Sequence, residues 1–151
     1  MYDGWIDSLE AGKKTGVCLI DLSAAFDVVC HDLLKQKLCQ YDFDNGAIEW
    51  IESYLEGRSQ CISINGFLSK LLPVTTGVPQ GSILGPLLYT IFTNELPAVT
   101  KFQEEGSNED SVCCYADDTT LSCSAKTADD LTNKLENQFK AVTKFLVSNG
   151  L

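Results

Sequence analysis

The sequence lacks the features that mark membrane-bound, secreted or zinc-binding proteins. Its longest apolar stretch, residues 83–92, is interrupted by glycine and proline and is far too short to cross a bilayer. No basic segment followed by an apolar one opens the chain, so no secretory signal is predicted. The seven cysteines are odd in number and form no C-x-x-C pair, which disfavours zinc and a disulfide framework. An intracellular protein is expected, and both nucleus and cytoplasm stay open because no basic import motif is visible.

Positive charge is also scarce. Lys and Arg together number 11 against 21 Asp and Glu, which gives a formal net charge of -10. Such a surface repels nucleic acid when no metal is bound. Phosphate backbones are usually bound by clustered Lys and Arg, whereas the basic residues here are scattered. Any grip on nucleic acid is therefore expected to lie largely outside this segment.

What is present is the pattern of a folded α+β domain. The 151 residues, 44% of them hydrophobic, suffice for one domain spanning residues 1–151. Apolar periodicity predicts strands at 17–20, 112–115 and 119–123, a hairpin over 60–74, and helices at 32–40, 46–56, 82–94 and from Thr127 to Asn149. Residues 104–110 are acidic and predict a solvated loop. The order favours antiparallel strands with helices packed on one face of the sheet.

Two acidic points follow or interrupt apolar strands. Asp21 ends the first strand, and Asp117 and Asp118 lie in the turn between two later ones. If these strands are neighbours, three carboxylates converge and repel one another unless divalent cations hold them. Such a site suits in-line phosphoryl displacement with two metals. Two alternatives stay open: the Asp pair as a solvated turn, and Asp21 as the cap of a following helix.

Three segments carry a family resemblance: DLSAAFD at residues 21–27, GVPQGSILGPLL at 77–88 and YADD at 115–118. Together, and in this order, they resemble the reverse transcriptases of non-LTR retrotransposons, in particular the jockey-like elements. The likeness extends along nearly the whole chain. It implies a polymerase palm, that is, a ferredoxin-like or RRM-like antiparallel sheet with helices on one face. It also implies that the palm is truncated at both ends, with the fingers strands and the thumb absent.

The resemblance implies a metal site. Asp21, Asp117 and Asp118 would be the catalytic residues and would bind two Mg²⁺ ions, for which Mn²⁺ could substitute. The backbone carbonyl of Leu22 would be an additional ligand. One departure from the family is Cys30, which stands where relatives often have an acidic residue.

The resemblance also implies a nucleotide site. Phe26 would be a steric gate against a ribose 2′-hydroxyl, and Gln80 and Gly81 would line the nucleotide pocket. Tyr115 and Ala116 would support the hairpin and the primer end. From the residues alone, Phe26 could equally be a core phenylalanine, residues 77–81 an ordinary turn, and Tyr115 a cross-strand packing residue. His31, the only histidine, is assigned no chemistry.

The implied function is RNA-directed DNA synthesis, by transfer of deoxynucleotides onto a primer 3′-hydroxyl. The implied partners are an RNA template, a DNA primer, dNTPs and flanking parts of a longer polyprotein. Little activity is expected of the isolated segment. A different hypothesis is a catalytically inactive remnant or a co-opted interaction module that keeps the palm fold, which the charge of -10 favours. A metal-dependent nuclease would share the carboxylates and leave residues 77–88 unexplained.

Overall fold

The computed structural model describes residues 2–100 and 111–151, so the acidic loop predicted at 104–110 lies outside the described residues. Chain contacts divide the protein into two compact units. The first unit comprises Met1–Ser23, Thr93–Asn149 and Leu151, and the second comprises Ala24–Phe92 and Gly150. No helix in the described ranges is both long and apolar enough to cross a membrane.

The first unit is built on a three-stranded antiparallel sheet. Its strands are β1 (Lys14–Ile20), β6 (Ser111–Tyr115) and β7 (Asp118–Ala125), and β7 is central in the order β1-β7-β6. The helices of this unit are α1 (Tyr2–Glu10), α5 (Leu96–Val99) and α6 (Ala128–Ser148). The sheet joins residues about a hundred positions apart, since Val17 pairs with Ser122.

Alternation along the strands sends one face of this sheet into a core. Cys18, Leu121 and Val112 pack with Val142, Phe145 and Leu146 of α6, and Leu96 of α5 completes the cluster. Gly16 lies on the same face, where an added Cβ would come within 2.7 Å of Leu135 on α6. A glycine therefore lets α6 approach β1 closely.

Both ends of α6 are defined by local capping motifs. Thr127 is the N-cap, and its hydroxyl oxygen accepts the Asp130 backbone N–H at 3.1 Å. At the other end Asn149 is the C-cap, and the Leu151 N–H donates to the Leu146 carbonyl at 2.9 Å. That bond and the positive φ of Gly150 (73°) are the marks of a Schellman ending.

The second unit contains three helices and two small ribbons. Its helices are α2 (His31–Gln40), α3 (Asn45–Leu55) and most of α4 (Leu84–Thr93). Strands β2 (Ser59–Gln60) and β5 (Leu72–Pro73) form one ribbon, and β3 (Ser63–Ile64) and β4 (Phe67–Leu68) form the other. The predicted Asn65-Gly66 turn is confirmed: both residues have positive φ, 50° and 83°, as a type I′ hairpin requires.

The structure confirms the α+β class with antiparallel sheets. It differs from the predicted elements in detail, because α1 and α5 were not predicted and the predicted hairpin is divided into two ribbons. The single domain over residues 1–151 and the palm arrangement stay predictions.

Candidate active site

The end of β1 brings Asp21 to the start of β7. Ile20, the last residue of β1, pairs with Thr119, so Asp21 and Asp118 are the next residues on neighbouring strands. Leu22 packs its side chain against the core cluster of the first unit. Because Leu22 is anchored in this way, the chain that carries Asp21 is tied to the sheet on both sides. The three carboxylates can converge only if the two acidic points lie on neighbouring strands, and β1 and β7 are neighbours.

The β6–β7 hairpin presents the second acidic point. Tyr115 pairs with Asp118, which leaves Ala116 and Asp117 as a two-residue turn. Ala116 has a φ of 52°, in the left-handed region that costs an L-residue roughly 1–2 kcal/mol. Such strain persists only where the surroundings impose it, and it is concentrated at functional sites.

Asp118 and Tyr115 lie on the sheet face opposite α6. Directly paired residues share a face, and Cys18, Leu121 and Val112 occupy the covered one. Tyr115 is 81% exposed and Leu19, on its side of the sheet, is 78% exposed. Strand alternation continued by one residue beyond Ile20 places Asp21 on this open face as well.

These carboxylates fit magnesium by chemistry and by strand placement. Asp oxygens are hard ligands of the kind Mg²⁺ prefers, and Asp21 and Asp118 are exposed to solvent. Their side chains are not gathered in advance, since residues 2–100 and 111–151 contain no group of three or more His, Cys, Asp or Glu that could hold an ion. The side chains would therefore have to move toward one another before they could hold an ion together.

In the second unit, the loop at residues 76–80 docks onto the segment at 26–31. Backbone N–H groups of Gly77 and Val78 donate to the carbonyls of Val29 and Phe26, each at 2.7 Å. The Nε2 of His31 lies 2.7 Å from the Gly77 carbonyl oxygen, to which it donates. Two of the three sequence motifs thus meet in one hydrogen-bonded junction.

Glycine is required at the centre of this junction. Gly77 has a φ of 88°, and an added Cβ would lie 2.7 Å from the Asp27 carbonyl oxygen and 2.8 Å from its Cα. Both neighbours are backbone atoms, which cannot rotate away as a side chain can. This close approach explains why residue 77 is a glycine. From the sequence alone, residues 77–81 could have been an ordinary turn.

The predicted nucleotide-site residues lie around the same junction. The Phe26 ring is half-buried and packs on Tyr89 of α4, with centroids 4.8 Å apart. The exposed Gln80 amide donates to Asp27 Oδ1 at 3.1 Å. Gly81, with a φ of 75°, faces open space. Gln80 lines a groove of about 620 Å³ that also includes Asp27, Arg58 and Gln60.

Sequence reasoning missed two participants in this junction. Asp27 supplies the backbone surface for Gly77 and the acceptor for Gln80. His31 begins α2, as expected of a helix-start residue, yet it also binds the loop. Their positions next to a motif were visible, but no spacing rule connects residues 46 positions apart.

Comparison with known proteins gives one consistent result. The family profile described as reverse transcriptase (RNA-dependent DNA polymerase) matches residues 5–151. The RNA-directed DNA polymerase from mobile element jockey of Drosophila melanogaster is 31% identical over 136 residues, covering 90% of this chain and 15% of that protein. Its counterpart from Drosophila funebris is 30% identical over 142 residues, covering 94% of this chain and 15% of that protein.

A third relative is the probable RNA-directed DNA polymerase from transposon BS of Drosophila melanogaster. It is 34% identical over 117 residues, which cover 78% of this chain and 13% of the relative. The chain thus spans at most 15% of the length of these curated relatives.

Proposed function

The chain belongs to the reverse transcriptase (RNA-dependent DNA polymerase) family, and we propose that it is the palm segment of a non-LTR retrotransposon polymerase. Its chemistry would be the transfer of deoxynucleotides onto a primer 3′-hydroxyl along an RNA template. The observation that carries the proposal is the placement of Asp21 beside Asp118 at the open end of the β1-β7-β6 sheet. An antiparallel sheet with α6 packed on one face supports the palm arrangement.

In this proposal Asp21, Asp117 and Asp118 would hold two Mg²⁺ ions, with Mn²⁺ as a substitute and the Leu22 carbonyl as a further ligand. When bound, the ions would activate the primer hydroxyl and offset the charge on the leaving pyrophosphate. The chain itself contributes position. The strained turn at Ala116 sets Asp117, and pairing with Tyr115 sets Asp118. Tyr115 and Ala116 thereby support the primer end.

Phe26, Gln80 and Gly81 would contact the incoming nucleotide. Support for the gate role comes from the Phe26 backbone, which accepts the Val78 N–H, and from its ring, which rests on the buried Tyr89. With its backbone fixed and one face of its ring resting on a buried residue, Phe26 is better placed to exclude a 2′-hydroxyl than a freely rotating ring would be. Gly81 offers an open backbone surface for close approach of a ligand.

The first test uses a chimera in which residues 5–151 replace the matching segment of the jockey polymerase. Primer extension on an RNA template is expected, and Asp117→Ala should reduce it by about 10³-fold or more, since the metal site would be lost. Asp7→Ala, which removes an exposed carboxylate on α1, is the matched control. Extension that survives Asp117→Ala unchanged would refute the metal assignment.

A second test needs no polymerase activity. Mn²⁺ binding to residues 1–151, followed by electron paramagnetic resonance, should weaken in Asp118→Asn and persist in Asp7→Asn. Binding by the wild-type chain together with an inactive chimera would instead favour the inactive-remnant hypothesis.

A Phe26→Val chimera should incorporate ribonucleotides more readily, while its deoxynucleotide incorporation is retained.

A further inference from the structure

Three planar side chains form a ladder along α3 and past its end, in which the outer two are exposed and the middle one is half-buried. Trp50 is 59% exposed, and its ring stacks on Tyr54 with centroids 6.3 Å apart and planes at 12°. The Arg58 guanidinium lies 5.2 Å from the Tyr54 ring centre and donates a hydrogen bond to the Tyr54 carbonyl at 3.2 Å. Trp50, Tyr54 and Arg58, spaced four residues apart, are called the α3 ladder below.

The α3 ladder lies on a neutral strip of the helix. At about 100° per residue, the strip that contains Trp50 and Tyr54 also contains residues 46, 47 and 53, which are Gly, Ala and Ser. The acidic residues of α3, Glu49 and Glu52, fall on another side, and Glu56 is the C-cap with an extended backbone. Glu52 forms an ion pair with Lys35 of α2, which partly neutralises that side.

Arg58 joins the ladder to the groove that holds Gln80. The groove is lined by Asp27, Arg58, Gln60 and Gln80 together with Ser59 and residues 73–79. Arg58 is the only arginine in the chain. Its planar guanidinium can stack on a base and bind phosphate in a fork, which the ammonium of a lysine cannot do. A continuous surface therefore leads from an aromatic stack to a polar groove.

We propose that the α3 ladder is a stacking platform for single-stranded nucleic acid, and that the strand continues from it into the Gln80 groove. Proteins that bind single strands combine stacked aromatic rings with arginine in this way, because every base has a π-face. The identity of the strand as the RNA template rests on the proposed function. Because Glu49 and Glu52 lie on another side of α3, the repulsion at the ladder itself is weaker than the net charge of -10 would suggest.

The test measures binding of a fluorescein-labelled single-stranded RNA of about 12 nucleotides to residues 1–151 at low salt, by anisotropy and, in a Trp5→Phe background, by quenching of Trp50 fluorescence. Trp50→Ala should weaken binding about tenfold, since one base loses its stacking partner. Arg58→Lys keeps the charge and should also weaken it, because the planar group is lost. Phe139→Ala, which removes a 48%-exposed ring from α6, is the matched control and should have no effect.

Three outcomes would overturn the proposal: no binding by the wild-type chain, equal binding by Trp50→Ala, or a change in self-association in place of RNA binding. The last would make the ladder a protein contact, for which Trp, Tyr and Arg are also suited. Circular dichroism of Trp50→Ala excludes unfolding as the cause. This test is independent of catalysis. If the chimera extends primers but its Trp50 and Arg58 variants bind RNA normally, the ladder proposal is refuted and the proposed function is not.

Discussion

Replacement of Gly77 by alanine should destabilise the second unit far more than its backbone angle alone suggests. The φ of 88° would cost alanine about 1–2 kcal/mol. In addition, the new Cβ would lie 2.7 Å from the Asp27 carbonyl oxygen, about 0.7 Å short of ordinary contact. The two segments would have to separate, although they are held by two 2.7 Å hydrogen bonds. Each is worth about 1 kcal/mol, which gives a total loss of about 3–4 kcal/mol.

Gly57→Ala provides the comparison. Gly57 has a φ of 66°, and nothing lies within 4 Å of an added Cβ, so only the backbone term applies. Urea unfolding followed by Trp50 fluorescence, in a Trp5→Phe background, reports on the surroundings of Trp50 in the second unit. The free energy of unfolding should fall by about 2 kcal/mol more in Gly77→Ala than in Gly57→Ala. Equal losses in the two variants would show that the junction tolerates a methyl group and that its close packing has no structural role.

Three further predictions follow from other parts of the fold. Leu121→Ala should lower the free energy of unfolding by about 2–5 kcal/mol in urea titrations, because Leu121 is fully buried in the core of the first unit; a loss below 1 kcal/mol would contradict that core. Thr127→Ala should cost about 1 kcal/mol in thermal unfolding, since it removes the acceptor of the Asp130 N–H, whereas Thr127→Ser should not. Partial desolvation raises the pKa of the Cys114 thiol although the residue is exposed, so at pH 8 iodoacetamide should label it more slowly than Cys61, which is exposed as well, as mass spectrometry can measure; equal labelling rates would contradict the shift.

Local signals account for the elements that the sequence predicts well. The strand before Asp21, the hairpin around Asp117, the Asn65-Gly66 turn and both ends of α6 all depend on residues within a few positions of one another. Each of these features appears where periodicity and capping chemistry place it. Two short helices were not predicted. The four residues of α5 are too few to show a helical period, and Gly4 weakens the helical pattern in α1.

Non-local contacts account for what the sequence does not reveal. The placement of β7 between β1 and β6 depends on pairing across about a hundred residues, for which no composition rule exists. The contact between Gly77 and Asp27 is also non-local. The sequence shows the glycine, but it does not show that Asp27 lies against it. The α3 ladder falls between these cases. Its spacing of four residues was visible, but only coordinates show that the two rings stack and that Trp50 stays exposed.

The same burial that stabilises the first unit also orients its candidate metal ligands. Side chains alternate along β7, so packing Leu121 and Thr119 toward one face places Asp118 on the other, beside Tyr115. A slip of one residue would turn Asp118 toward the core and would bury a charge at a cost of several kcal/mol. The register of the hairpin is therefore strongly specified by hydrophobic packing, well before any ion binds. A carboxylate at this position needs no metal to face solvent, and the cation that we propose would draw together the side chains of Asp21, Asp117 and Asp118.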